Sequence, residues 1–213
     1  MKLVVNEFLS LDGVMQGPGG IDEDRSNGFD RGGWIVPFTA DEGQGAVVDS
    51  WFARADAFLL GRTTYDMMYS YWSQVTDQDN KAATALNNLP KFVVSSTLQD
   101  PEWNNATVLT GDLVDAVSDL KARNGGELQV HGSWHLARSL HEAGLVDEYR
   151  LLIFPVCVGT GKRLFSDNGP PTGFTVVESR SLDSGTVYLA LRPAPYVQGG
   201  LDVVDGKEVL TEV

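Results

Sequence analysis

The sequence predicts an α/β domain whose central sheet is mostly parallel. Strand-like and helix-like segments alternate as far as Val156, and this alternation is typical of parallel strands joined by right-handed helical crossovers. Two β-rich runs on either side of Asp183-Ser184-Gly185 then predict a closing antiparallel hairpin. A chain of 213 residues with 42% hydrophobic and 21% charged residues fits one globular domain and excludes a mostly disordered or fibrous chain.

Each element follows from a local pattern. Lys2–Leu9 is β-rich and predicts a buried first strand, whereas Ser10–Gly33 is a glycine-rich loop of a length that is usually functional or disordered. Apolar residues at helical spacing predict a helix from about Thr39 to Ala53 and another that opens at Gly61. The same reasoning predicts, in chain order, strand Ala57–Leu60, helix Lys81–Asn88, strands Lys91–Ser95 and Thr107–Leu109, a helix between Asp112 and Asn124, strand Glu127–His131, a helix from Ser133 to Ala143, strand Val146–Val156, and hairpin strands Phe174–Leu182 and Thr186–Arg192.

Composition excludes several classes of function. The net charge of −13 argues against a nucleic-acid partner, because phosphate binding needs a basic face. No run of 18 apolar residues predicts a membrane span, and the first residues carry no signal-peptide pattern. The one cysteine, Cys157, cannot form an internal disulfide, so we expect a cytoplasmic protein. The three histidines lack the spacing and carboxylate neighbours of a metal site, so we expect no metal.

Four short segments follow predicted strands and therefore meet at the carboxyl edge of the sheet, where ligands of open α/β sheets bind. These segments are Ser10–Gly13, Gly61–Thr64, Ser95–Thr97 and His131–Ser133. In the second of them, Gly61 lets the backbone approach a ligand, free N–H groups at the helix start attract phosphate, and Arg62 can pair with it. The alternative interpretation is a turn glycine followed by capping threonines.

The segment His131-Gly132-Ser133 lies at a second strand-to-helix junction, where free N–H groups can likewise attract phosphate. Two such sites could bind one pyrophosphate together. Its alternative role is an N-cap at Ser133 with a helix-packing glycine. No G-x-G-x-x-G pattern supports a standard dinucleotide fold. The hydroxyls of Ser95–Thr97, with Arg62 nearby and no carboxylate at that strand end, favour NADP over NAD, although such residues are also common in turns.

Two carboxylates are candidates for contact with a substrate. Asp12 follows the first strand directly and could hold a polar heterocycle or relay a proton, or else form an Asx-turn into the loop. Asp49 lies beside Trp51 and Phe52 and could face a substrate cleft, or else lie on a solvated helix face. Cys157 lies in an apolar run, which predicts a buried thiol.

Four segments in order resemble the dihydrofolate reductase superfamily, and in particular the branch that contains the C-terminal reductase domain of bacterial riboflavin biosynthesis. They are Ser10-Leu11-Asp12-Gly13-Val14, Phe58-Leu59-Leu60-Gly61-Arg62-Thr63-Thr64-Tyr65, Gly132–Leu140 with Gly144–Glu148, and Pro155–Phe165. The resemblance spans residues 1–192 and leaves a polar tail at 193–213. It implies a three-layer fold with a central, mostly parallel sheet of about eight strands and with NADPH across its carboxyl edge.

The resemblance also assigns roles by position. It places phosphate at Gly61, Arg62, Thr63 and Thr64, the adenosine 2′-phosphate near Ser95, Ser96 and Thr97, and the pyrophosphate and ribose at Gly132, Ser133, Trp134 and Leu136. It places the Ser10–Met15 loop over the nicotinamide. His131, from the second strand-to-helix junction, is a further candidate for cofactor binding. The candidates for substrate contact are Ser10, Asp12, Gly13 and Asp49, and Asp12 is also the candidate catalytic residue. The branch further implies a homodimer.

We therefore expect an NADPH-dependent reductase of a small nitrogen heterocycle or its ring-opened ribityl relative, similar to the reductase of 5-amino-6-(5-phosphoribosylamino)uracil. Dihydrofolate reduction and a non-catalytic nucleotide-binding homodimer are the alternatives. Three departures from the pattern bear on the substrate. His131-Gly132 stands where the family has a glycine pair, Asn6-Glu7-Phe8 lacks the basic residue of the first strand, and Asp49 is not clearly in phase to grip a pterin.

Overall fold

The structure, a computed structural model, describes residues 1–212 and contains an eight-stranded sheet. Its strands are β1 (Lys2–Ser10), β2 (Ala55–Gly61), β3 (Lys91–Val94), β4 (Ala106–Leu109), β5 (Glu127–His131), β6 (Glu148–Phe154), β7 (Gly173–Ser181) and β8 (Val187–Ala194). Their order across the sheet is β4-β3-β2-β5-β1-β6-β8-β7. Strands β1 to β6 are parallel, and β8 and β7 are antiparallel to their neighbours. The predicted fold class is confirmed.

Helices cover both faces of this sheet and complete the three layers. They are α1 (Glu42–Phe52), α2 (Arg62–Trp72), α3 (Lys81–Asn88), α4 (Leu113–Ala122) and α5 (Trp134–Glu142). On one face, Val117 of α4 and Leu140 of α5 pack against Leu3 and Leu128 of the sheet. On the other face, the aromatic and aliphatic side chains of α1, α2 and α3 form two further clusters. The helices thus bury the side chains of alternate residues on each strand.

The register of the central strands sets which side chains share the carboxyl edge. β1 lies between β5 and β6, with Asn6 opposite His131 and Ser10 opposite Phe154. β2 lies on the other side of β5. Because these strands are parallel, their carboxyl ends, and the loops that follow them, lie along the same edge of the sheet.

Local chemistry explains where the structure departs from the predicted elements. α1 begins at Glu42 rather than at about Thr39, because the Asp41 carboxylate caps the helix by accepting the N–H groups of Gly43 and Gln44. Cys157 is exposed, which corrects the prediction of a buried thiol. None of the helices within residues 1–212 has the length and apolar character to cross a membrane.

The segment expected to be a polar tail contains a second, two-stranded sheet. Strands β9 (Gly199–Val204) and β10 (Lys207–Glu212) pair antiparallel and are separate from the main sheet. The turn between them is Asp205-Gly206, and both residues have positive φ, 51° and 73°. This dipeptide between β-rich runs is a strong hairpin signal, and it marks the hairpin in the sequence.

Candidate functional site

The ends of β2 and β5 meet in one corner of the carboxyl edge. The Gly61 N–H at the end of β2 donates a 2.9 Å hydrogen bond to the Ser133 hydroxyl, which lies just before α5. Ser133 is buried, so this bond holds the start of α2 beside the start of α5. Two of the predicted segments therefore meet through a direct contact.

These two helices differ from the others in how they begin. The side chains of Asp41, Asn80 and Asp112 cap α1, α3 and α4 by accepting hydrogen bonds from first-turn N–H groups. In the part of the chain that the structure describes, no side chain caps α2 or α5, and neither helix has an acidic residue in its first turn. Their free N–H groups and helix dipoles favour an anion at this corner.

Glycine and threonine shape the backbone of this corner. Gly132 has a φ of +68°, a conformation that favours glycine, and a Cβ built on it would lie 3.7 Å from the methyl group of Thr64. Thr64 is buried, whereas Thr63 is exposed in the first turn of α2. The corner therefore presents backbone N–H groups with little side-chain bulk around them.

Arg62 is the first residue of α2. Its Nε donates to both carboxylate oxygens of Asp66, at 2.9 and 2.7 Å, one helical turn along. The side chains of both residues are partly exposed, so the ion pair is accessible to a competing anion. A phosphate would compete with Asp66 for the guanidinium, and the predicted phosphate contact of Arg62 stays a prediction.

The Ser95 segment forms a turn at the end of β3. The Ser95 hydroxyl accepts the N–H groups of Thr97 at 3.2 Å and of Leu98 at 3.0 Å, as in a serine turn. Ser96 and Thr97 are exposed, and β3 lies next to β2. Their hydroxyls are therefore open to a ligand on this edge, and contact with a 2′-phosphate stays a prediction.

The side chains of His131 and Leu136 are buried among other residues of the chain, and their predicted contacts with a cofactor stay predictions. The His131 ring is stacked on Phe52 of α1, with centroids 5.0 Å apart, and its Nε2 lies 3.0 Å from Oε1 of Gln129. Burial, aided by the charge of Arg150, lowers the pKa of His131 to about 3. Leu136 packs in the core on the opposite face of the sheet.

Asp12 anchors the loop that follows β6. Its Oδ1 accepts the Val158 N–H at 2.9 Å and the Ser10 hydroxyl at 2.7 Å, while its Oδ2 accepts the Gly159 N–H at 2.8 Å and lies 3.5 Å from Nη2 of Arg163. Desolvation raises the pKa of Asp12, but these hydrogen bonds outweigh it and lower the pKa to about 2. An ionised carboxylate has no proton to donate at neutral pH, so the structure favours an anchoring role over a proton relay.

The other predicted substrate residues also have partners within the chain. The Ser10 hydroxyl accepts the Val14 N–H at 2.9 Å, and Gly13 turns the chain with a φ of +80°. Asp49 forms a partly exposed 2.9 Å ion pair with Lys81 at the start of α3. This pair fits the solvated-face interpretation of Asp49 and provides no contact with the edge. Substrate contact by Ser10, Asp12 and Gly13 stays a prediction.

A buried carboxyl that the motifs did not reveal lies beneath the same corner. Glu7 on β1 is 4% exposed, and its Oε1 accepts the Gly132 N–H at 2.8 Å. Burial raises the pKa of Glu7 to about 8, against the opposing effect of the Gly132 N–H. Glu7 is therefore mostly protonated at neutral pH and ties β1 to the turn before α5. A glutamate inside an otherwise apolar strand is the sequence signal for it.

Comparison with known protein families decides the family. The model of the RibD C-terminal domain matches residues 1–188. The chain belongs to the RibD C-terminal domain family. This is a family of reductase domains, which supports the expected oxidoreductase class. A relative, the uncharacterized protein YyaP of Bacillus subtilis (strain 168), is 32% identical over 135 residues, or 63% of this chain and 72% of YyaP.

Solved structures show the same fold. A Shewanella sp. PV-4 protein, provisionally named a riboflavin biosynthesis protein, is 23% identical with a TM-score of 0.65, covering 92% of this chain and 100% of that one. A pyrimidine reductase-like protein from Corynebacterium diphtheriae NCTC is 14% identical with a TM-score of 0.60, covering 91% and 92%. RibD from Acinetobacter baumannii is 15% identical with a TM-score of 0.58, covering 91% of this chain and 58% of RibD.

Proposed function

We propose that this RibD C-terminal domain protein is an NADPH-dependent reductase. The observation that carries the proposal is the pair of uncapped helix starts that the Gly61–Ser133 hydrogen bond holds side by side. Two sets of free N–H groups, in first turns that contain no acidic residue, fit a pyrophosphate, because each set stabilises negative charge. The position of this corner on the carboxyl edge is the usual place for a nucleotide in an open α/β sheet.

In this proposal, different segments of the carboxyl edge bind different parts of NADPH. The first turns of α2 and α5 would hold the pyrophosphate, and the exposed hydroxyls of Ser96 and Thr97 would bind the 2′-phosphate. Bound NADPH would supply the hydride. The Ser10–Met15 loop, which Asp12 ties to residues 158 and 159, would close over the reacting end of the cofactor and position the substrate there.

The proposed substrate is a small nitrogen heterocycle or a ring-opened ribityl compound, of the kind that 5-amino-6-(5-phosphoribosylamino)uracil represents. Membership of the RibD C-terminal domain family supports this choice. Dihydrofolate reduction is the weaker candidate, because Asp49, the candidate carboxylate for gripping a pterin, is paired with Lys81. A non-catalytic nucleotide-binding protein would bind NADPH without oxidising it, so turnover separates it from a reductase.

We also propose that the protein forms a homodimer. The edge strand β7 is exposed over most of its length, including the apolar side chains of Val176 and Val177. An open, partly apolar edge strand is a natural site for pairing with another chain. Light scattering at several protein concentrations should give twice the monomer mass of 23.1 kDa, and a constant monomer mass would contradict the proposal.

The variant Thr63→Asp tests the proposed cofactor site. It adds a carboxylate to the first turn of α2, where the helix dipole stabilises it, so the fold should be kept or slightly stabilised. The same charge should repel the pyrophosphate and weaken NADPH binding by roughly tenfold or more. Ser70→Asp is the matched control, because Ser70 is exposed on the same helix two turns away.

Isothermal titration calorimetry with NADPH measures both variants. We expect wild type and Ser70→Asp to bind alike and Thr63→Asp to bind much more weakly. Equal affinity of all three proteins would exclude the start of α2 as the phosphate site. The oxidation of NADPH, followed by its absorbance with candidate heterocycles, then distinguishes a reductase from a nucleotide-binding protein.

A further inference from the structure

A groove runs along α5 on the side that faces residues 161–174. Two adjoining cavities form it, one of about 150 Å³ and one of about 240 Å³, and Phe165 and Ser166 line both. Each cavity is smaller than a typical small-ligand site of roughly 300–1,000 Å³, so the groove suits a compact ligand that spans both. The helix contributes Trp134, Arg138 and His141, whose spacing of i, i+4 and i+7 puts them on one face.

One end of the groove is aromatic. The ring of Phe165 lies 5.2 Å from that of His141 and 5.7 Å from that of Phe174, measured between centroids. His141 Nδ1 lies 2.8 Å from the Tyr149 hydroxyl, and burial lowers the pKa of His141, which favours the uncharged imidazole. This end therefore suits an aromatic ring, through edge-to-face packing and burial of apolar surface.

The other end of the groove is cationic. The guanidinium of Arg138 lies 5.1 Å from the Trp134 ring centroid, and the ammonium of Lys162 lies 5.7 Å from it. Lys162 is paired with Asp24 at 2.6 Å, Arg163 lies 3.5 Å from Asp12, and Asp167 also lines this end. Arg138 has no carboxylate partner within residues 1–212. In a chain of net charge −13, an unpaired arginine in a cavity favours an anionic ligand.

We propose that this groove binds a small ligand that carries one aromatic ring and one anionic group, a phosphate or a carboxylate. The ring would lie against Phe165 and Phe174, and the anion would pair with Arg138. The groove adjoins the NADPH corner at Trp134, the first residue of α5, and extends from there along α5 and residues 161–174, away from β2 and α2. The proposal does not depend on the reductase function.

Binding of four small probes tests the proposal on the intact protein. Phenyl phosphate and phenylacetate combine a ring with an anion, whereas inorganic phosphate and benzyl alcohol each present one part. Calorimetry with saturating NADPH present should show at least one aromatic anion binding tenfold or more tighter than either single-part probe. Which of the two aromatic anions binds tighter then identifies the anionic group.

Two variants locate the bound probe. Arg138→Gln should weaken the aromatic anion at least tenfold, whereas Arg54→Gln, which removes the same charge at an exposed position outside the groove, should leave it unchanged. Ser166→Phe should weaken binding by filling the place where the cavities join. Circular dichroism melting of each variant checks that it folds. Arg138→Lys keeps the positive charge, so it should bind the aromatic anion more weakly than wild type and more tightly than Arg138→Gln; if Arg138→Gln does not fold, Arg138→Lys is compared with wild type alone.

Three results would overturn the proposal. If neither aromatic anion binds more tightly than inorganic phosphate, the proposed binding of the ring against Phe165 and Phe174 is wrong. Equal affinities of Arg138→Gln, Ser166→Phe and wild type would place the probe elsewhere. Displacement of the probe by NADPH would make the groove part of the cofactor site, whereas a protein that binds the probe but not NADPH would contradict only the reductase proposal.

Discussion

Replacing Glu7 by glutamine removes a buried titrating group while keeping an oxygen that can accept the Gly132 N–H. In the folded chain, burial raises the pKa of Glu7 to about 8 from its ordinary value of 4.5. Between these two pH values the folded state holds a proton that the unfolded state has lost. The stability that Glu7 contributes is therefore complete below pH 4.5 and is lost as the pH rises toward 8, by up to about 1.4 kcal/mol per pH unit.

His131 opposes this effect over part of the range. Its folded pKa of about 3 lies below the ordinary 6.5, so between these values the unfolded state holds the extra proton and stability rises with pH. The two effects nearly cancel between pH 4.5 and 6.5, and the effect of Glu7 dominates between pH 6.5 and 8. Lys91 also opposes Glu7 near pH 8, because burial lowers the pKa of Lys91 from 10.5 to about 8. Across the window from pH 6.5 to 8, the free energy of unfolding of the wild type should therefore fall by about 1 kcal/mol.

Urea unfolding at half-unit steps from pH 6.5 to 8 measures this fall. We expect the wild type and the control Glu208→Gln, at an exposed position on β10, to lose stability together. Glu7→Gln should show no fall and a slight rise in the free energy of unfolding across the same window, because the opposing groups His131 and Lys91 remain. A wild-type stability that is constant or rises with pH, or a Glu7→Gln variant that falls in parallel with it, would refute the assignment of a protonated buried Glu7.

Three further predictions concern the cofactor and the loop. NADPH should bind more tightly than NADH in parallel titrations, because hydroxyls rather than carboxylates end β3, and equal or tighter NADH binding would contradict this. Arg62→Ala should weaken NADPH by about 10- to 150-fold with the melting temperature preserved, whereas an unchanged dissociation constant would return Arg62 to its pair with Asp66. Asp12→Asn should lower the unfolding free energy by about 1–3 kcal/mol, because the amide nitrogen that replaces one carboxylate oxygen cannot accept the N–H group bound there, that of Val158 or of Gly159. It should also lower turnover by about 10²-fold if Asp12 contacts substrate; unchanged stability would contradict the anchor, and unchanged turnover per folded molecule would contradict the contact.

Local patterns were enough to predict most of the fold. Strand Glu127–His131 and helix Lys81–Asn88 have the predicted bounds, because turn residues and caps mark their ends. The hairpin around Asp183-Ser184-Gly185 formed β7 and β8 as expected. The parallel direction of the strands also predicted that the Gly61 and Ser133 segments lie close together at the carboxyl edge, and the structure shows them in contact.

Side-chain direction and tertiary partners limited the prediction of the site. His131 ends β5, and its ring lies against Phe52 of α1. Strand periodicity shows which side chains share a face but not which helix covers that face, so the sequence alone could not predict the direction of this ring. The position of Asp12 after β1 predicts contact with a substrate. Its hydrogen-bond partners, Val158 and Gly159, lie far along the chain, so its anchoring role could not be predicted from local sequence. Glu7 belongs to no motif. Its raised pKa results from burial in the folded chain, which the sequence pattern does not show.

The central claim, that NADPH lies on the uncapped starts of α2 and α5, is tested most directly by a nuclear magnetic resonance titration that follows each backbone amide. The account predicts saturable shifts that are largest for the amides of Thr63 and Thr64 in α2 and of Ser133 and Trp134 at the start of α5. The capped first turns of α1 and α4 should change little. Saturable binding that leaves those four amides unmoved, or no saturable shift at any amide, would contradict the claim.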